Sequence, residues 1–310
     1  MEPPGNSRAR QLCRSRGLVQ PRKPRDSDGG TQVSGSDSRM PPRSDSVDGV
    51  DLAVDGPVAT ITLARPQARN RLSKVMLESV VAHCSDLADD DAVRIVVLQA
   101  EGRDFSTGVD LLDPELLAIA REPIGLRRRS LLLGPRVVDA LQSLPQLTIV
   151  AMHGYCLGGG GCLALACDLR VGAADLRFGM PEVSRGMNMS WRTVHLMVAL
   201  WGPTRTKELL VTGRELDAET ALAWGLINRT TAAGAEAVQT EARAWAVELA
   251  ERTPPIAATM VKETVNAIAN AHASTVHMDT DQFILTQTTD DFREAVMSFK
   301  EKRPPRYRGS

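Results

Sequence analysis

His153-Gly154-Tyr155-Cys156-Leu157-Gly158-Gly159-Gly160-Gly161-Cys162-Leu163-Ala164-Leu165-Ala166-Cys167-Asp168 follows directly on the apolar run Leu147-Thr-Ile-Val-Ala-Met152. The run predicts a buried strand, the four glycines a turn, and Cys162 to Cys167, apolar on every side, a buried helix. The first N–H groups of a helix lack intrahelical partners, and the dipole there favours negative charge. Glycines let a ligand approach that backbone closely. Such a turn suits an oxyanion, for which each donor is worth about 3–4 kcal/mol in acyl-transfer chemistry. Taken alone, it equally suits a tight turn made for packing. A phosphate loop is disfavoured, because no Gly-Lys-Ser/Thr follows and no Gly-x-Gly-x-x-Gly opens a terminal βαβ unit.

Outward from this stretch the chain reads as βα units. Val50-Asp-Leu-Ala-Val54, Asp55-Gly56-Pro57 and Val58-Ala-Thr-Ile-Thr-Leu63 predict a β-hairpin. Ser73 is placed to cap a helix to about Leu87. Val93 to Leu98 predicts a strand, followed by a second glycine turn, Asp104-Phe-Ser-Thr-Gly108-Val109-Asp110-Leu111. Residues 114–144 read as largely helical, with Arg127–Arg129 as a solvated face. A short strand follows at Leu169-Arg-Val-Gly, and helices at about 191–200, 203–211 and 217–224. Phe178-Gly-Met-Pro-Glu182-Val sets a lone carboxylate in an apolar setting. After Ala235 the pattern is helical, with a break at Thr253-Pro254-Pro255.

Three segments follow: a disordered tail at 1–47, a core domain at 48–252 and a helical region at 253–310 whose apolar faces need a partner. The tail is rich in Arg, Pro, Ser, Gly and Asp and cannot bury enough apolar area to offset its ordering entropy. Met40 is an alternative start. The 310 residues carry a formal net charge of -1 and 4% aromatics, which gives no basic field or stacking surface for nucleic acid. Five cysteines without a Cys-x-x-Cys pair argue against a disulfide framework and a zinc site, so no metal is expected. Reduced thiols, no signal-like N-terminus and no apolar run of about 18 residues point to a cytoplasmic protein without a membrane span.

Arg65-Pro66 with Asn70-Arg71-Leu72-Ser73, then Phe105 to Leu111, Gly154 to Asp168 and Phe178 to Glu182 stand in one order. Thr212-Gly213, Ala221 to Asn228 and Phe299-Lys-Glu-Lys-Arg303 continue it. Together they resemble the enoyl-CoA hydratase/isomerase (crotonase) superfamily over about 48–305. The resemblance implies an α/β fold, a spiral of ββα units with a C-terminal helical oligomerisation region, assembled as a homotrimer or hexamer. It implies that the amides of Val109 and Gly159 form an oxyanion hole for a thioester carbonyl, with Glu182 as acid/base. It also implies a coenzyme A site at Arg65, Thr107 and Val109, with Phe299 and Lys302 approaching the nucleotide. Coenzyme A enters as part of an acyl-CoA substrate, with no separate cofactor.

The chain departs from the pattern at two places. The family's hydratases carry two glutamates around one water. The first, eight residues after Gly154, is here Cys162; the second is Glu182. One carboxylate is both acid and base only if it moves a proton between two carbons, so isomerisation fits better than two-glutamate hydration. The alternative is a non-catalytic acyl-CoA-binding member that has lost one glutamate. Glu182 would then cap a helix or pair with Arg185. Cys162 reads as an inert buried thiol, with His153 as the only histidine placed to approach it. The second departure is Ser190-Trp191-Arg192-Thr193, which adds bulk and charge near the acyl pocket. Asp110 is expected to order its loop, and His195 to be a core or surface histidine.

Overall fold

Val96, Leu98, Val150 and Met152 pack on one side of a central sheet and Ile95, Val97, Ile149 and Ala151 on the other; all eight are buried. Burial on both faces is what continuous apolar strands require. The computed structural model describes residues 49–271, 273 and 278–310, and 43–47 by backbone alone.

The strands run β1 (Arg43–Val47), β2 (Val50–Asp55), β3 (Val58–Leu63), β4 (Ile95–Ala100), β5 (Leu147–Met152), β6 (Tyr155–Leu157), β7 (Leu169–Ala173), β8 (Arg177–Gly179), β9 (Glu215–Asp217) and β10 (Arg229–Thr231). One sheet has the order β1-β2-β3-β4-β5-β7-β10, and a small second sheet the order β6-β8-β9. The expected hairpin is β2 and β3, antiparallel with Asp55 opposite Val58. From β3 to β10 the neighbours are parallel, as βα units require.

Helices α1 (Lys74–Ala88), α2 (Pro114–Ile119), α3 (Ile124–Leu131), α4 (Leu133–Ser143) and α5 (Gly159–Ala166) come before β7. Ser73 caps α1 as expected, accepting from the Met76 N–H. α1, α4 and α5 bury their apolar residues in the core on the Leu98–Val150 side. The opposite core is closed by α8 (Ala235–Arg252), which follows α6 (Val194–Thr212) and α7 (Ala218–Ala223). Its Val238, Ala242, Ala246 and Ala250 are spaced by four, so they form one ridge, and small side chains bring the helix close to the strands.

Several details differ from expectation. The tail was expected to run to residue 47, but β1 pairs with β2 from Arg43 opposite Val54 to Val47 opposite Val50. That pairing is made by backbone, so the polar side chains gave no sign of it. Residues 1–42, the rest of the expected tail, lie outside the described residues. The strands of the small sheet have three residues each, too few for an alternation to show. The helices expected at about 191–200 and 203–211 are present as the two halves of α6, which starts at Val194 and kinks at Gly202 (φ 74°, ψ 170°), with Pro203 starting the second half. The arginine run is only partly solvated: Arg127 donates to Gln287, and Arg128 lies 2.6 Å from Asp281.

The break at Pro254-Pro255 starts α9 (Pro255–Ala269), followed by α10 (Asp279–Thr286) and α11 (Asp290–Glu301). The almost wholly buried Lys262 holds α9 to the sheet. Its Nζ lies 2.9 Å from Asp168 Oδ2 and donates to the Gln146 carbonyl at 2.8 Å. The same Asp168 oxygen accepts the Thr148 N–H and hydroxyl. Among the described residues, no helix is long and apolar enough to cross a membrane.

Candidate active site

Asn70 holds the first glycine turn from below. This buried side chain accepts the Arg65 N–H at 2.8 Å and donates to the carbonyls of Glu101 at 2.7 Å and Asp104 at 2.9 Å. Its own carbonyl accepts the Ser106 hydroxyl at 2.7 Å, and Ser106 Oγ accepts the Gly108 N–H. Asn70 has φ 49°, in the left-handed region that asparagine tolerates better than most residues. Asp104 fixes the neighbouring loop, with Oδ2 2.6 Å from Arg69 Nε and Oδ1 accepting the Tyr155 N–H. The Arg69 guanidinium and the Tyr155 N–H hold the Asp104 carboxyl below its ordinary value, against the opposing effect of burial. Neither role was read from the sequence, although Asn70 stands in the quoted Asn70-Arg71-Leu72 motif.

In this frame the Leu72 N–H donates to the Gly108 carbonyl and the Asp110 N–H to the Leu72 carbonyl. In such a parallel bridge the N–H of Val109 faces away from Leu72. Asp110 orders the loop as expected, accepting the Leu112 N–H and lying 3.6 Å from Arg65 and 3.5 Å from Arg71.

The second turn meets the first. Gly158 adopts φ 52°, ψ -118°, a conformation open to glycine, and donates to the Gly179 carbonyl. Gly159 is the first residue of α5, where the N–H has no intrahelical acceptor. A side-chain carbon on Gly108 would lie 3.7 Å from the Gly159 nitrogen, and one on Gly159 would lie 3.2 Å from Val109 Cγ2.

Glu182 precedes a short 3-10 turn, Val183–Arg185, and turns its carboxylate inward. A side-chain carbon on Gly158 would stand 2.9 Å from Glu182 Oε1 and 4.0 Å from Gly108 Cα. The other oxygen, Oε2, is buried with no hydrogen-bond partner among the described residues. Burial raises the acid to about 7; its own backbone N–H and the charge of Arg185 pull the other way. The carboxylate caps no helix and makes no ion pair with Arg185 among the described residues.

Cys162 stands beside this acid. Its sulfur lies 3.6 Å from Thr193 Oγ1, and burial, with the Glu182 charge adding, pushes the thiol far above its ordinary value. His153 faces away from it, bonding the Gly102 carbonyl at 3.0 Å, and burial lowers its affinity for a proton. A buried thiol kept protonated, with no histidine to take its proton, is a poor nucleophile. His195 bonds Asn270 at 2.9 Å. Trp191 fills the remaining side: its indole occupies the space a side chain on Gly134 would need, and Cη2 lies 3.1 Å from a Gly159 side-chain carbon.

Arg65, Thr107 and Val109 come together at the first turn, Thr107 donating its N–H to the Arg69 carbonyl. Phe299 and Lys302 do not join them among the described residues. The Phe299 ring stacks under Arg185 at 5.5 Å and is 73% exposed, and Lys302 is the exposed cap residue of α11.

A family model described as Enoyl-CoA hydratase/isomerase matches residues 54–310. The chain belongs to the enoyl-CoA hydratase/isomerase family. It is 33% identical over 264 residues to enoyl-CoA hydratase domain-containing protein 2, mitochondrial, of Bos taurus, covering 83% of this chain and 87% of that one. It is 28% identical over 260 residues to the short-chain-enoyl-CoA hydratase of Clostridium acetobutylicum, covering 82% and 95%. A crystal structure of an enoyl-CoA hydratase from Mycobacterium avium subsp. paratuberculosis K-10 superposes with a TM-score of 0.73 at 23% identity, over 85% of this chain and all of that one. At that identity the likeness concerns the fold, which is the crotonase α/β fold with C-terminal helices.

Proposed function

We propose that this member of the enoyl-CoA hydratase/isomerase family binds an acyl-CoA thioester, accepts its carbonyl oxygen on the N–H groups of Val109 and Gly159, and uses Glu182 as its single acid/base. The observation that carries the reading is Glu182 Oε2, buried without a partner beside the two touching glycine turns. A buried oxygen left unbonded costs free energy unless a ligand engages it. An acid with a pKa near 7 is suited both to take and to return a proton at neutral pH.

With a 3-enoyl thioester, the Glu182 carboxylate takes a proton from the α-carbon. The C–H electron pair moves into a dienolate whose charge rests on the oxygen held by the two amides. The same carboxyl returns the proton at the γ-carbon, which gives the conjugated 2-enoyl thioester. Cys162 cannot act as the second base that adding water requires, which favours isomerisation over hydration. Arg65 and Thr107, beside Val109, are the residues we assign to the coenzyme A portion; Phe299 and Lys302, set apart from that turn, would serve the nucleotide of a neighbouring subunit. The four buried free thiols Cys84, Cys156, Cys162 and Cys167 support a reducing, cytoplasmic setting.

A second reading, a binder without turnover, is favoured by one observation: the Trp191 indole crowds Gly159. Purified protein with 2-enoyl-CoA and 3-enoyl-CoA, followed by the absorbance of the conjugated thioester, separates the two. Turnover lost in Glu182→Gln supports the isomerase; tight coenzyme A thioester binding with no turnover on any enoyl-CoA supports the binder.

A further inference from the structure

We infer that Arg129, Arg136 and Arg192 form a binding site for a small oxyanion, a phosphate or carboxylate group, in a cavity of about 500 Å³ beside α3, α4 and the Trp191 loop. Three guanidinium groups and one carboxylate, Asp139, line this cavity. The neighbouring arginines of the run are engaged elsewhere, Arg127 by Gln287 and Arg128 by Asp281. Arg129 and Arg136, by contrast, have no hydrogen-bonding or ionic side-chain partner among the described residues.

Arg192 reaches Asp139 only at 3.8 Å, and its Nε is buried with no partner. Its position is imposed by the backbone. Arg192 has φ 55°, a region costly for a residue with a side chain, and its N–H is held by Asp279 at 2.6 Å. Ser130, also on the cavity wall, has its hydroxyl turned to Glu122 at 2.8 Å. Asp139 is 60% exposed, so water screens much of its charge. A solvated arginine face would spread its charges into water. Arg129 and Arg136 are exposed, but with Arg192 they line one concavity, where like charges repel and a bound anion relieves the repulsion. The guanidinium fork matches phosphate and carboxylate oxygens by paired, charge-assisted hydrogen bonds. Trp191, next to Arg192 in the chain, packs against Gly134 and Gly159, and Gly134 adjoins Pro135 of the cavity wall.

Titration calorimetry of inorganic phosphate into the full chain, at fixed ionic strength with chloride as the competing anion, tests the site without needing turnover. The expected result is saturable binding, weakened tenfold or more in Arg129→Ala/Arg136→Ala, whose exposed positions leave the circular dichroism spectrum unchanged. A second titration uses crotonyl-CoA and glutaconyl-CoA, an enoyl thioester with a terminal carboxylate. If the oxyanion is the acyl chain's own carboxylate, phosphate displaces glutaconyl-CoA but not crotonyl-CoA, and the double variant binds glutaconyl-CoA tenfold more weakly. If the oxyanion is free, phosphate saturates the site and displaces neither. The inference is overturned if phosphate binding is absent or equal in the double variant while glutaconyl-CoA affinity is also unchanged.

Discussion

The Glu182 carboxylate uses the space that a side chain on Gly158 would fill: a carbon there would stand 2.9 Å from Oε1. One missing side chain thus serves two ends. It allows the φ 52°, ψ -118° turn that opens α5, and it lets the acid approach the turn.

Gly158→Ala therefore displaces the acid and also strains the turn that presents the Gly159 N–H. The expected outcome is a fall in kcat of about 10²-fold or more, the range associated with one positioned proton-transfer group, with a smaller change in KM. Steady-state kinetics on a 3-enoyl-CoA measures the split. An unchanged kcat would mean that the acid works from another position.

The burial of Glu182 also gives a pH signature in stability. Its folded value of about 7 lies above the ordinary 4.5, so between these values the folded protein binds the proton more tightly than the unfolded chain does. Stability is then greatest below the lower value and falls as pH rises through 4.5 to 7. The full difference is about 3 kcal/mol. Denaturant unfolding at pH 5 and pH 8 should show this loss in wild type and a much smaller one in Glu182→Gln.

Trp191 packs against Gly134 and Gly159, and in the proposed function it closes the acyl pocket beyond Gly159. Trp191→Ala should lower KM for long-chain enoyl-CoA relative to short-chain enoyl-CoA by roughly tenfold, since each buried methylene contributes about 0.8 kcal/mol. The ratio of kcat/KM for four-carbon and ten-carbon substrates is the readout. A ratio unmoved by the substitution would place the acyl chain elsewhere.

α9 shows a row of uncovered apolar residues, Ile256, Met260, Val261, Val265 and Ile268, each between 56% and 73% exposed. Ile256, Met260 and Ile268 turn away from the Lys262 anchor, and Val261 and Val265 flank it, so the helix is held along one line and open over the rest. We propose that this row is covered by other copies of the chain in a homotrimer or hexamer. Val265→Glu with Ile268→Glu should reduce the assembly to monomer in analytical ultracentrifugation, whereas a trimer retained by this variant would assign the contact to another surface.

Much of this was legible in the chain, for identifiable reasons. The β5 run, the glycines and α5 follow one another, so strand, turn and helix could be read from local chemistry, although α5 starts at Gly159 rather than Cys162 and β6 intervenes; the Gly154 to Asp168 stretch carried the family resemblance. The hairpin β2–β3 was legible because Asp55-Gly56-Pro57 marks its turn. The hub formed by Asn70 and Asp104 was not, because its bonds join residues more than 30 positions apart. The Thr193 hydroxyl beside Cys162 and the Asp279 grip on Arg192 were hidden for the same reason. The strands of the small sheet were missed because three residues carry no period.

The most direct measurement is proton NMR of a 3-enoyl-CoA deuterated at the α-carbon, following its conversion to the conjugated 2-enoyl-CoA by wild type and by Glu182→Gln. The expected result is conversion by wild type with label carried from the α- to the γ-carbon, and a loss of about 10²-fold or more in the variant with thioester binding kept. Conversion at the wild-type rate in Glu182→Gln would contradict the role of this acid.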